Sequence, residues 1–179
     1  SNIVYLVEEV VLSIVDIAKD KNIEIIFNTE EEEIITAIDE EKIVRVILIL
    51  LSNSIKFSKE KGDICVEMRR EDEEVVIKVT DNGIGINEDM KEKIFDKFKR
   101  VQSVSNLNVD HEGSGLGLYI AKGFIELHNG SISVVSEVEK GSTFIITIPI
   151  VIIKDDLHNI NHMDEDELNR IIKIELSDL

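Results

Sequence analysis

Four short stretches carry the side chains and glycines from which a ligand site could be built. The first is VTDNGIGI, residues 79–86. Period-2 alternation places Asp81 on the same strand face as Val75, Ile77 and Val79. An acid in register with core residues is costly unless it has a partner. Gly83 and Gly85 follow at once and let the backbone bend and approach a flat ligand. A carboxylate acceptor beside a glycine-lined slot suits adenine, whose amino group is a donor. The same residues also fit an ordinary Asp-Asn-Gly turn.

The second stretch is LILLSNSIKF, residues 48–57. Ile43, Ile47, Leu50 and Leu51 form an apolar stripe at helical spacing, and Ile49, Asn53, Lys56 and Phe57 fall on the adjacent one. An Asn amide oxygen can ligate Mg²⁺ when phosphate oxygens and waters complete the octahedron. Lys56, one turn on, can reach a phosphate as a point charge. The competing reading is the polar side of a helix C-terminus, with Lys56 answering the dipole.

The third is HEGSGLGLYIAKGF, residues 111–124. Gly113, Gly115 and Gly117 alternate with Ser114, Leu116 and Leu118, just ahead of a helical pattern through Leu116, Ile120, Phe124 and Leu127. Glycines before a helix start expose backbone N–H groups to an anion, and the helix dipole adds positive potential. A flexible connection would have the same composition. The irregular residues 99–114 then read as a lid over the bound anion. In the fourth stretch, IFDKFKR (94–100), Phe95 and Phe98 could anchor the base of that lid while Arg100 points at phosphate; two Phe packed into the core is the plainer alternative.

These stretches need elements to position them. Residues 4–20 repeat apolar side chains at helical spacing, 22–29 and 33–38 read as short strands, and 39–58 as a helix with Asp39 as N-cap. Residues 63–70 and 74–80 alternate and form a hairpin, 87–98 a short helix, and 115–128 a helix stopped at HNG with Gly130 as left-handed C-cap. A second hairpin, 131–139 and 142–150, turns at Lys140-Gly141. Hairpins with interspersed helices predict an α+β fold, a two-layer sandwich with helices on one face of the sheet. One domain is expected over 1–153. The polar extension 154–179 ends either in an added strand through Ile172, Ile174 and Leu176 or in a short helix through Leu168, Ile171 and Ile172.

Composition narrows the chemistry. The chain of 179 residues is 43% hydrophobic and 32% charged, as expected of a globular domain. Its net charge of −17 disfavours nucleic acid, so an anionic ligand needs backbone donors, a metal or a few placed cations. The single Cys65 cannot form an internal disulfide and reads as an inert strand residue of a reducing compartment. No apolar run is long enough to span a membrane, and no leader pattern opens the sequence. The chain starts without Met in mid-pattern, as an excised piece would.

Asn-x-x-Lys, Asp-x-Gly-x-Gly, Phe-x-x-Phe and Gly-x-Gly-x-Gly, in that order, resemble the N, G1, F and G2 boxes of histidine-kinase catalytic domains, members of the ATPase superfamily shared with gyrase, heat-shock chaperones and mismatch-repair ATPases. The likeness covers residues 4–150; GSGLGLYIAK with ELHNG after it points to histidine kinases in particular. It implies a Bergerat-type fold with a mixed, mostly antiparallel sheet. It also implies ATP with Mg²⁺ as cofactors. Asp81 would accept from the adenine amino group with Thr143 helping through water. Asn53 would bind Mg²⁺ and Lys56 phosphate. Gly83 and Gly85 would shape the slot, with Ile86 and Phe57 near the base. Phe98 and Arg100 would sit at the lid base, and Gly113, Ser114, Gly115, Leu116, Gly117 and Leu118 would wrap the triphosphate. The partners implied are a His-bearing dimerisation domain of the same protein and a response regulator. The setting implied is cytoplasmic, with this piece monomeric and its parent a homodimer, membrane-anchored or not.

Three departures stand out. The family's polar residue four positions before Asn53 is Ile49 here, and no basic residue falls between Val101 and Glu112. The family's acceptor His motif is absent as well; His111, His128, His158 and His162 read as non-acceptors. A degenerate nucleotide-binding module without phosphotransfer is therefore the rival reading. A free-standing ATPase is a third, and it lacks a base at Ile49.

Overall fold

The computed structural model describes residues 1–59, 61–98, 115–153, 163–177 and 179. Helix α1 (Ile3–Asp20) leads into β1 (Glu24–Thr29), α2 (Glu40–Lys56), β2 (Asp63–Glu71) and β3 (Glu74–Asp81). Helix α3 (Gly117–Leu127), β4 (Ser131–Glu137), β5 (Gly141–Pro149) and α4 (Glu165–Glu175) follow. The strands form one sheet in the order β1-β2-β3-β5-β4. Only the β1–β2 pair is parallel; β2–β3, β3–β5 and β4–β5 are antiparallel. Ile64, Val66, Met68, Val75, Ile77, Val79, Phe144, Ile146 and Ile148 turn one sheet face into the core. This is the expected α+β, Bergerat-type sandwich.

Helix α2 runs through the middle of the helical layer. From Ile43 to Leu51 every residue except Arg45 is buried, which is the signature of a helix covered on all sides. It touches α1, α3 and α4 as well as the sheet. Its length is set at the start by Asp39, whose carboxylate accepts from the Lys42 N–H at 3.1 Å.

Three local expectations change. Residues 33–38 make no strand: an isolated bridge joins Ile35 to Asn2, and nearby backbone groups bond the N-terminal residue and the segment after β5 instead. Thr36 N–H donates to Ser1 O at 3.0 Å and Ala37 N–H to Val151 O at 2.8 Å, so no ladder is needed. Residues 87–98 form two 3₁₀ turns, Glu88–Met90 and Lys93–Phe95, in place of a helix. Ile94 and Phe95 turn inward, but Phe98 (φ 62°) faces solvent, so no continuous buried stripe supports a regular helix. At the end of α3, Asn129 takes the left-handed conformation (φ 55°) that was expected of Gly130. Gly130 is required for space: a Cβ there would collide with the Thr147 carbonyl oxygen.

Within the C-terminal extension, Glu165–Glu175 form a helix. Asp164 caps α4 by accepting from Glu167 N–H at 2.8 Å, and Ile171, Ile172 and Leu176 are buried. It docks on α2 through Arg45, which donates to Glu175 at 2.9 Å and to Glu41 at 3.0 Å.

Candidate functional site

Asp81 ends β3 on the core side, as its alternation required, and is 7% exposed. Its Oδ1 accepts from the Gly83 N–H at 2.9 Å and the Ser142 N–H at 3.3 Å. Its Oδ2 accepts from the Ser54 hydroxyl at 3.3 Å. Burial pushes the Asp81 carboxyl above the usual carboxylate range, while the two amides and the hydroxyl pull the other way. The result is a buried carboxylate at the end of a strand with one oxygen doubly occupied and the other singly.

The backbone beyond Asp81 is shaped by two glycines for different reasons. A Cβ on Gly83 would collide with the Phe57 carbonyl oxygen and lie 2.8 Å from Asp81 Oδ1. Gly85 has φ +72° and lies against the Glu137 carbonyl. The loop between them is clamped on both sides. Ile84 N–H donates to Phe57 O at 3.2 Å, at the end of α2, and Ile84 O accepts from Glu139 N–H at 2.8 Å, in the β4–β5 turn. Ile86 is buried, and its N–H donates to the Ser136 hydroxyl at 2.8 Å.

Helix α2 brings its polar stripe to this place. Asn53 and Lys56 are half-buried in its last turns, and Phe57 is its C-cap. Helix α3 begins over the same stripe. A Cβ on Gly117 would stand 3.2 Å from Ile49 Cγ2, so the start of α3 rests on that side chain. Leu116 holds the N-cap position of α3 without a side-chain cap, and no acid lies in the first turn. Phe98 is 64% exposed, and its N–H donates to Gly115 O at 3.1 Å, which ties the 94–98 segment to the start of α3. Leu118 packs on the edge of the core. Phe95 is buried edge-to-face on Phe144, 6.4 Å between ring centres.

Arg100, Gly113 and Ser114, and the expected lid to which they belong, lie outside the described residues. Thr143 is a correction. It pairs with Thr80 in the β3–β5 register, and their hydroxyls lie 3.1 Å apart on the outer face of the sheet. The residue opposite Asp81 is Ser142. Sequence reasoning missed Ser54, Ser136 and Ser142. The signal for Ser142 was present, since it is in phase with Phe144, Ile146 and Ile148. Cys65 behaves as expected. It accepts from Asn28 at 3.4 Å, and burial followed by Glu67 pushes its thiol up.

Metal ligands are sparse. No group of three or more His, Cys, Asp or Glu side chains that could hold an ion occurs among the described residues. Among the described residues, Asn53 in the last turns of α2 offers a neutral amide oxygen, a ligand suited to a Mg²⁺ that arrives on phosphates and keeps its waters. Among the described residues no helix is long and apolar enough to cross a membrane.

Residues 38–152 match the family model of the histidine kinase-, DNA gyrase B-, and HSP90-like ATPases, and the chain belongs to that family. Histidine kinase P4 of Formosa agariphila is 34% identical over 153 residues, which is 83% of this chain and 11% of the relative. Sensor histidine kinase WalK of Bacillus subtilis is 35% identical over 136 residues, 75% of this chain and 22% of the relative. The catalytic domain of histidine kinase ThkA, solved without nucleotide, superposes with a TM-score of 0.73 at 29% identity, covering 84% of this chain and 95% of that one. ThkA in complex with the response regulator TrrA matches with a TM-score of 0.69 at 28% identity, covering 84% of this chain and 41% of that one. Within the family, then, the chain groups with the catalytic ATP-binding domains of sensor histidine kinases. It spans only a small part of the curated relatives' length.

Proposed function

We propose that this chain holds ATP with its γ-phosphate exposed and passes that group to a His on a separate dimerisation domain of the same protein. The observation that carries the reading is Asp81: a buried carboxylate, fixed by three donors, beside a loop that two glycines keep thin. The adenine amino group donates to its less occupied oxygen. Phe57 and Ile86 flank the base. The start of α3 offers Gly117 and its neighbours as backbone donors to phosphate, with Lys56 as a point charge. Asn53 would hold Mg²⁺, which would supply charge neutralisation for the triphosphate. Phosphoryl transfer is mostly positioning and charge neutralisation, so this division of labour asks no covalent chemistry of the chain.

The acceptor helix docks on the outward face of α3. Tyr119, Ile120 and Leu127 are exposed there at helical spacing, and Gly123 opens onto free space, so a second helix can approach closely. The ThkA complex supports a response regulator as the next acceptor. The chain acts in the cytoplasm, as a monomeric piece of a homodimeric parent.

Ile49 favours a second reading. It is 6% exposed and fills the place between α2 and the start of α3 with an alkane, where neither metal ligation nor base chemistry is available. A degenerate module would bind ATP and transfer nothing. Free-standing hydrolysis is disfavoured for the same reason. Labelled ATP, mixed with this chain and a fragment carrying the parent's acceptor helix, separates the readings. The kinase labels the acceptor His in an acid-labile bond. Bound ATP with an unlabelled acceptor establishes the degenerate module instead.

A further inference from the structure

Ser54 fills a variable position of the Asn-x-x-Lys motif, yet it is 1% exposed and its hydroxyl meets Asp81. It lies on α2, 27 residues away in sequence, and donates its hydroxyl hydrogen to Asp81 Oδ2 at 3.3 Å. An ionised carboxylate only accepts, so the hydroxyl must be the donor in this pair. Asp81 Oδ1 already receives the Gly83 and Ser142 amides. A carboxylate oxygen has two acceptor directions. Ser54 therefore takes one direction on Oδ2 and leaves the other for a ligand. Two neighbouring buried hydroxyls are committed elsewhere: Ser136 donates to Gly141 O at 2.7 Å and lies 3.0 Å from the Ser142 hydroxyl.

We propose that Ser54 is a positioning residue for base selection: it holds Asp81 Oδ2 as an aimed acceptor, and so sets the preference for an amino group over a carbonyl on the purine. The inference rests on the nucleotide reading given above. A 6-oxopurine would bring a carbonyl oxygen up to a carboxylate, acceptor against acceptor. A site built to pair one polar group rejects the analogue that lacks it, because its own buried group is left unpaired. Without the Ser54 hydroxyl, Asp81 keeps its two amide donors on the far oxygen but nothing fixes the near one. The carboxyl, already pushed up by burial, then takes a proton more readily and can serve a carbonyl as a donor.

The test is a titration of the chain, and of Ser54→Ala and Ser54→Cys, with ATP and with inosine triphosphate in the presence of Mg²⁺. The intact chain binds ATP the more tightly of the two. In Ser54→Ala, ATP weakens by about tenfold while inosine triphosphate holds or tightens, so the ratio collapses by at least that factor. Ser54→Cys, with a weak S–H donor of similar size, falls between, and it supplies the readout if the Ala variant does not fold. A purely structural role would weaken both nucleotides together. Parallel weakening, or an unmoved ratio in a folded variant, overturns the inference while leaving the nucleotide site standing. An intact chain that binds neither nucleotide overturns both.

Discussion

The starts of α2 and α3 solve the same problem in opposite ways. Every α-helix begins with N–H groups that have no partner inside it. At α2 the protein supplies a capping side chain and acids. Asp39 accepts from Lys42 N–H at 3.1 Å, Glu40 and Glu41 stand in the first turn, and the Asp39 N–H itself is taken by His128 Nε2 at 3.0 Å. Helix α4 repeats the device with Asp164 and three following acids, and α1 uses Asn2. Helix α3 has neither a capping side chain nor an acid in its first turn. Leaving out a cap costs about 1 kcal/mol of stability. The difference teaches which helix start is capped for the fold, and it favours the start of α3 as the place proposed above for phosphate.

Substitutions that break this contrast come in order of size. Asp81→Asn replaces the acceptor facing adenine with an amide and weakens ATP by at least about 100-fold in a binding titration. The fold survives, because the Asn oxygen can still accept from Gly83 and Ser142. The sign of its pH effect follows from burial. A carboxyl held above its unfolded value stabilises the fold at low pH, and that contribution is lost as pH rises through the folded value. Melting curves between acid and neutral pH should show the intact chain losing ground to Asp81→Asn as pH rises. Leu116→Asp gives α3 the start that α2 has: ATP weakens by about tenfold as the new acid meets phosphate, while the fold gains about 1 kcal/mol by denaturant melt. Asp39→Ala is the mirror image, with about 1 kcal/mol lost from the melt and an unchanged ATP titration. Thr143→Ala, on the outer sheet face, moves neither measurement by more than about 0.5 kcal/mol.

The parts legible in the sequence were those governed by local period and local chemistry. Alternation put Asp81 on the core face, and the Asp39 cap marked the start of α2 three residues ahead of the N–H it satisfies. What escaped depends on contacts between distant segments. Ser54 meets Asp81 only because α2 packs across the end of β3, and Gly117 meets Ile49 only because α3 packs on α2. Residues 33–38 alternate like a strand but find their partners at Ser1 and Val151, which no local pattern announces. In the tail, Ile172, Ile174 and Leu176 alternate too. The Asp164 cap and the Leu168, Ile171, Ile172 face prevail there, because burying one helical stripe on α2 leaves only Ile174 exposed. Thr143 was a parity error, one residue from Ser142, and a slip of one in a strand exchanges the two faces of the sheet.

The most direct measurement is a calorimetric titration of ATP into this chain with and without Mg²⁺, repeated on Asp81→Asn. Saturable binding to the intact chain, strengthened by Mg²⁺ and lost in a variant that still melts cooperatively, is the predicted result. Failure of the intact, folded chain to bind ATP, or undiminished binding by Asp81→Asn, would contradict the assignment of this site.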